Sequence, residues 1–196
     1  YLWGAAGQLP DESRIFGHEY APGITAGDDI FTVMSSDIFR GSAFALGYVN
    51  PDNLRGMNVW SDMYKVIRKA NLMLARMDEC QDMTALDRRN YTGYIHFLRG
   101  YAYYHILMTC GPAILVGDEI FESNLDGPAY NTYRATYDET VEYICSELET
   151  AAAYLPLKAS IAQFERPTKG AAYALIARLR LHAASPLFNG TSTARL

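Results

Sequence analysis

The chain has 196 residues, of which 49% are hydrophobic and 20% are charged, and its net charge is −5. This length suits one domain or a piece of a larger one, and the composition excludes a disordered chain. A nucleic-acid-binding protein is not expected, because the densest basic stretch lies inside a helical pattern on an acidic chain. No run approaches the roughly 18 apolar residues that a membrane span requires.

Residues 1–52 are punctuated by glycine and proline and carry no clean hydrophobic period. This pattern predicts loops with short helical pieces. We therefore assign residues 1–52 to a loop-rich N-terminal segment and residues 53–196 to a region of four helices.

The four helices are predicted from apolar side chains that recur at steps of three and four. The first runs from about Asn53 to Met77, and Asn71 is the one polar residue on its stripe, where we expect it to bond to a neighbouring backbone. The second runs over about 84–108 and the fourth over about 169–184. The third, over about 136–155, begins at a capping box formed by Thr136 and Glu139.

The order of these elements predicts two antiparallel helical hairpins, separated by a long connection over about 111–135. The predicted fold class is all-α, with tetratricopeptide-like hairpins and long loops. The helices are longer and less regularly spaced than the repeat of about 34 residues requires.

Four strings in the sequence are similar to motifs of one family, the SusD/RagB family. WSDMYKVIRKANLML (60–74) resembles its W-x-x-x-Y-x-x-I-x-x-A-N-x-x-L helix, and FLRGYAYYHIL (97–107) resembles its F-L-R-A-Y-A-Y-F-x-L, with Gly100 where alanine is usual. GPAILV (111–116) is close to its G-x-x-P-L turn. RPTKGAAYALIARLRLHAASPLFNG (166–190) is the most specific of the four, and GDDIFT (27–32) is a weaker match to the family's entry motif.

The resemblance implies a lipoprotein on the outer face of the bacterial outer membrane, with its lipid anchor outside this sequence. It implies capture of oligosaccharides, or of peptides in some members, and a SusC-like TonB-dependent transporter as partner. Catalytic machinery and nucleic-acid binding are not expected. Because family members are much longer, the sequence is expected to be an N-terminal portion that stops before the C-terminal half.

Residue patterns of catalysis and metal binding are weak. No two of the four histidines lie four residues apart, the three cysteines form no CxxC pair, and no nucleophile or phosphate-loop motif is present. We therefore predict no catalytic residues, no metal ligands and no cofactor, and we interpret all three cysteines as buried thiols. Asp28 and Asp29 leave a calcium site open as an alternative.

Aromatic residues are the best candidates for contact with a sugar, because the C–H face of a pyranose is apolar. Tyrosines on the helical stripes, including Tyr64, Tyr94, Tyr101 and Tyr104, are interpreted as core. Loops carry function on a rigid scaffold, so the predicted ligand-binding residues are Phe39, Arg40, Phe44, Tyr48, Asn50, Asn53 and Arg55 in the first loop and Tyr130, Asn131 and Tyr133 in the second. Two alternatives remain: a protein of the same family that binds peptides or host glycoproteins, and a helical-repeat scaffold for a protein partner.

Overall fold

The computed structural model describes residues 1–10, 43, 46–50, 52, 58–121 and 132–189, and among these residues the regular structure is helical, with no β-strand. The helices are α1 (Leu2–Ala6), α2 (Trp60–Arg76), α3 (Ala85–Cys110), α4 (Tyr137–Tyr154), α5 (Lys169–Ala183) and α6 (Pro186–Asn189). Short 3-10 turns lie at Met77–Glu79 and Ile161–Gln163. The predicted all-α class is confirmed.

The helices α2 and α3 form the first antiparallel hairpin. Near the turn that joins them, the Thr92 hydroxyl contacts the Met77 sulfur at 3.7 Å. Near their far ends, the rings of Tyr64 and Tyr103 meet edge to face with centroids 6.4 Å apart. Residues close to the turn therefore pair with each other, as an antiparallel arrangement requires.

The remaining long helices continue the same alternation. Gly100 of α3 lies against Leu148 of α4, and Gly93, about two helical turns earlier, lies against Leu155 just beyond the end of α4. On the other side of α4, Arg180 of α5 binds the Glu142 carboxylate with both of its terminal nitrogens. Each long helix packs on its neighbour in the chain, and α3 lies between α2 and α4.

Side-chain caps define the helix starts. Thr84, Thr136 and Thr168 each accept a hydrogen bond from the backbone three residues ahead, at 3.1–3.3 Å, which satisfies an amide that the helix itself cannot pair. The Glu139 carboxylate in turn accepts a bond from the Thr136 backbone amide at 2.8 Å, so the predicted capping box is confirmed. Gly111 ends α3 with φ +77°, a conformation that L side chains rarely adopt.

Two predicted boundaries require correction. The helix α2 begins at Trp60 and not at Asn53, because the Asn58 side chain accepts the Trp60 amide at 3.3 Å and the residues directly before Trp60 are not helical. Residues 53–57 lie outside the described residues. The helix α3 extends to Cys110, two residues beyond the predicted end, since Gly111 is the residue that stops it. The division at residue 52 stays a prediction.

The core surrounds α3. The middle turns of this helix are buried against both α2 and α4. Tyr94 and Tyr104 are buried as predicted, whereas Tyr64 and Tyr101 are half-buried. His105 is buried as well. The cysteine interpretation holds for Cys145 but is wrong for Cys80, which is exposed. Cys80 follows the 3-10 turn after α2, so it lies outside the helix faces that build the core.

Candidate functional site

Three of the ten residues predicted to bind ligand, Tyr48, Asn50 and Tyr133, belong to the part of the chain that the structure describes. The ring of Tyr48 is about half exposed, and its backbone amide bonds to the Ala43 carbonyl at 2.8 Å. The Asn50 side chain accepts the Asp52 amide at 3.0 Å and so shapes its own turn. The other seven lie outside the described residues: Phe39, Arg40, Phe44, Asn53, Arg55, Tyr130 and Asn131. The assignment of these residues to a ligand site stays a prediction, and so does the calcium alternative at Asp28 and Asp29.

The segment 111–119, which we call the anchored segment, leads from α3 towards the second loop and makes most of its hydrogen bonds with side chains. The Tyr64 hydroxyl both accepts the Ile114 amide at 2.8 Å and donates to the Ile114 carbonyl at 2.9 Å. The Tyr103 hydroxyl accepts the Val116 amide at 3.1 Å. Burial raises the pKa of Tyr64 to about 12 and also raises that of Tyr103, so both hydroxyls keep their protons.

Asn71 and Arg99 hold the far end of the anchored segment. The Asn71 amide nitrogen donates to the carbonyls of Gly117 and Glu119 at 2.9 and 2.8 Å, which confirms that this polar residue ties down a backbone. Arg99 donates to the Gly117 carbonyl at 3.3 Å and to the Asp118 carboxylate at 2.5 Å. Arg99 also donates to the Asn71 amide oxygen at 2.8 Å, so the two side chains form one cluster.

Glu147 of α4 completes this buried cluster. Its carboxylate accepts two bonds from Arg99, at 2.6 and 2.7 Å, and lies 3.0 Å from His96 Nδ1. Burial alone would raise the pKa of Glu147, but the bonds from His96 and Arg99 outweigh it and lower that pKa. Burial likewise opposes the charge on Arg99, and Glu147 and Asp118 outweigh it, so the pKa of Arg99 is raised. The cluster is therefore a fixed ion pair that supports a loop, without a free group for chemistry.

The end of the second loop is held in a similar way. Arg134 donates to the Cys110 and Pro112 carbonyls at 2.8 and 3.3 Å, and its guanidinium lies 4.5 Å above the Trp60 ring. Tyr133, next to it, is 94% exposed. The contacts of Arg134 therefore hold the backbone next to Tyr133, a predicted ligand-binding residue whose ring is open to solvent.

An open groove of about 560 Å³ lies between α3, α5 and residues 165–167, within the range of small-ligand sites. Phe97 and Tyr101 of α3 form its aromatic wall, with ring centroids 6.0 Å apart and planes 24° from parallel. Tyr101 in turn stacks on Tyr104 at 6.0 Å and 4°. Tyr101 and Tyr104 were predicted to be core, and Phe97 was not among the predicted site residues. The spacing 97, 101, 104 nevertheless forms a separate aromatic stripe that could have indicated this surface.

Charged groups line the same groove. Arg166, Arg178 and Glu165 contribute to it. The Arg178 guanidinium lies 5.9 Å from the Tyr104 ring, and the Arg166 guanidinium lies 4.8 Å from the Trp3 ring. Below the groove, burial and then the charge of Arg178 lower the pKa of His105 to about 4, so this imidazole is neutral near pH 7.

The described residues contain no cluster of three or more His, Cys, Asp or Glu side chains that could hold a metal ion. Within the same part of the chain, no helix has the length and hydrophobicity to cross a membrane.

Comparisons with known proteins point to one family. Residues 27–181 match the family model SusD-like, described as "Starch-binding associating with outer membrane". No curated protein sequence gave a significant match.

Several solved structures are similar to this chain. A SusD-like protein from Bacteroides fragilis NCTC 9343 is 28% identical, with a TM-score of 0.62 over 71% of this chain and 26% of that one. A laminarin-binding SusD-like protein is 21% identical (TM-score 0.69, 92% of this chain, 39% of that one). Surface glycan-binding protein A from Bacteroides uniformis is 22% identical (TM-score 0.69, 92% and 40%). The chain thus spans between a quarter and two fifths of the length of these structures.

Proposed function

The chain belongs to the SusD-like family, and on that premise we propose that it captures oligosaccharides at the bacterial cell surface and passes them, unchanged, to a SusC-like TonB-dependent transporter. The observation that carries this proposal is the family match over residues 27–181, whose description names starch binding and the outer membrane. Two structural neighbours are named for laminarin and glycan binding. Retention at the outer membrane by a lipid anchor is part of the proposal.

The geometry of the described residues supports binding without catalysis. The exposed ring of Tyr133 and the aromatic wall of Phe97 and Tyr101 offer faces on which a pyranose can stack. The buried carboxylate of Glu147 is fully engaged by Arg99, and His105 is neutral inside the core. Neither group is placed to transfer a proton to a ligand.

Calorimetric titration of the full-length protein tests capture directly. The panel contains soluble starch, laminarin, an acidic polysaccharide and a peptide mixture. We expect saturable binding to at least one glycan. If the predicted first loop contributes, Tyr48→Ala should weaken that binding about tenfold, as expected when about 1.4 kcal/mol of contact is lost. The control is Tyr154→Ala, which removes an exposed tyrosine at the end of α4.

Each other result changes the proposal in a defined way. Binding of peptide alone would replace glycan capture with the peptide-binding alternative. Absence of binding to every member of the panel, together with a stable complex with the transporter, would favour the scaffold alternative. Delivery requires a second measurement: a tagged protein should co-purify a TonB-dependent transporter from native outer membranes, and its absence would remove that part of the proposal.

A further inference from the structure

The groove between α3 and α5 continues into a second hollow. The second hollow is lined by Trp3, Phe164, Glu165 and Arg166, so Glu165 and Arg166 belong to both. Phe164 is 84% exposed. The result is one extended surface of two adjoining hollows that carries both aromatic rings and charged groups. This shape suits a chain of several sugar units better than a single compact ligand.

The aromatic rings supply the apolar part of such a site. Phe97 and Tyr101 are half-buried, so the protein holds their orientation while part of each ring stays accessible. A sugar ring placed on this wall would remove its apolar C–H face from water. Phe97 and Tyr101 offer the stacking positions along α3, because the next ring, Tyr104, packs on Tyr101 and is buried.

The charges on this surface are unusual for the chain. Two arginines and one glutamate line the groove, although the whole sequence carries a net charge of −5. Arg180, two residues after Arg178 on the same helix, is paired with Glu142. Neither Arg166 nor Arg178 forms an ion pair with any residue that the structure describes.

The two guanidinium groups are held by aromatic faces instead. Arg178 lies over Tyr104, and Arg166 lies over Trp3 and, at 5.8 Å, over Tyr94. Stacking of this kind uses the face of a guanidinium and leaves its N–H edge able to donate. Two parallel N–H groups on one arginine match the two oxygens of a carboxylate.

We propose that this surface binds an acidic oligosaccharide, one whose sugar units carry carboxylates. Phe97 and Tyr101 stack on a sugar ring, Arg166 and Arg178 pair with uronate carboxylates, and Glu165 accepts hydrogen bonds from hydroxyls. The inference rests on the proposed function and adds to it a site and a ligand class.

Binding of oligogalacturonate to the full-length protein tests this assignment, with laminarin and a sulfated glycan as comparison ligands at the same ionic strength. We expect oligogalacturonate to bind more tightly than either and to weaken as salt is added. Arg178→Gln and Arg166→Gln should each weaken it about tenfold or more, as expected for the loss of a charged hydrogen bond. Arg180→Gln, which removes the same charge from the same helix, should change the affinity less than twofold.

Other outcomes separate this inference from the proposed function. Tight binding of laminarin alone, of the sulfated glycan alone, or of oligogalacturonate with no effect of the Arg166 and Arg178 variants, would overturn the inference and leave glycan capture standing. Absence of binding to every glycan would overturn both the inference and the proposed glycan capture. Arg178→Lys keeps the charge without the paired N–H groups, and circular dichroism of each variant checks its folding. We expect Arg178→Lys to recover only part of the lost affinity, and full recovery would overturn the paired contact with a carboxylate.

Discussion

Arg99 and Glu147 form an ion pair that is almost completely removed from water, with side chains 3% and 9% exposed. Two charges in such a place lose their hydration, and only close, well-directed bonds compensate for that loss. Here Arg99 donates twice to Glu147, and Asn71, Asp118 and the Gly117 carbonyl accept its remaining bonds. Loss of one member should therefore lower the stability of the fold far more than loss of both.

The variant Arg99→Met should lower the free energy of unfolding by about 3–5 kcal/mol, because it leaves the Glu147 carboxylate buried without its main partner. The double variant Arg99→Met/Glu147→Met should be less destabilised than this single variant. Urea denaturation measures both. The control Arg88→Met breaks an exposed pair with Asp78 and should cost less than about 1 kcal/mol. Equal losses for Arg99→Met and Arg88→Met would contradict this account.

His105 gives the stability a pH dependence. Its pKa is about 4 in the folded chain and 6.5 ordinarily, so between these values the unfolded chain binds more protons. The stability that comes from keeping His105 neutral is complete above pH 6.5 and is lost as the pH falls towards 4, by up to about 3 kcal/mol. Thermal unfolding of His105→Gln should show a shallower decline across this window than the parent chain. Identical slopes would show that His105 does not titrate as described.

Single residues also show what a sequence can and cannot reveal. Asn71 was predictable, since a polar amide on an apolar stripe must find partners, and its bonds to Gly117 and Glu119 confirm this. The exposure of Cys80 was not, because a thiol in a short connection gives no periodic signal. The partners of Arg99 were equally hidden, since Glu147 lies 48 positions away and no local spacing relates the two.

Two glycines of α3 lie in close contact with α4 and the residue that follows it. A side-chain carbon added at Gly93 would lie 3.0 Å from two carbons of Leu155 and 3.1 Å from its backbone nitrogen. At Gly100 such a carbon would lie 3.1 Å from two Leu148 side-chain atoms. Both glycines face α4, so they permit the close contact between the two hairpins.

The variant Gly93→Ala should therefore destabilise the chain by about 1–3 kcal/mol, despite the higher helix propensity of alanine, because the backbone at Leu155 cannot move aside cheaply. The matched control is Gly170→Ala in the first turn of α5, where the added carbon would lie 3.8 Å from the nearest atom. That change should leave stability unchanged or raise it by up to about 1 kcal/mol. Chemical denaturation compares the two, and stabilisation by Gly93→Ala would refute the close contact.

Helix ends were predictable wherever the capping residue itself marks them. Thr136 with Glu139, and Thr168 after Pro167, placed the starts of α4 and α5 within a residue. The start of α2 was not placed correctly, since the apolar spacing alone does not show that the Asn58 side chain intercepts the first amide. Boundaries set by a side-chain bond thus need the bond to be recognised, and periodicity does not supply it.

At the scale of the whole molecule, the two antiparallel hairpins followed from helix order and loop length, because the link within each hairpin is too short for its two helices to lie apart. The groove between α3 and α5 did not follow. It depends on how far α5 and residues 165–167 stand from the second aromatic stripe of α3, and no local pattern gives that distance. The fold was thus more accessible to sequence analysis than the surfaces it creates.

The anchored segment is held in place by residues that are distant from it in the chain. Tyr64, which bonds both the amide and the carbonyl of Ile114, lies 50 positions earlier in the chain. Asn71 lies on α2 and Arg99 on α3. The segment makes few backbone–backbone hydrogen bonds, so its conformation depends on side chains from the helices around it. Transplanted alone into another scaffold, this stretch would not carry its shape with it, whereas the helices could exchange many outward-facing residues without disturbing it.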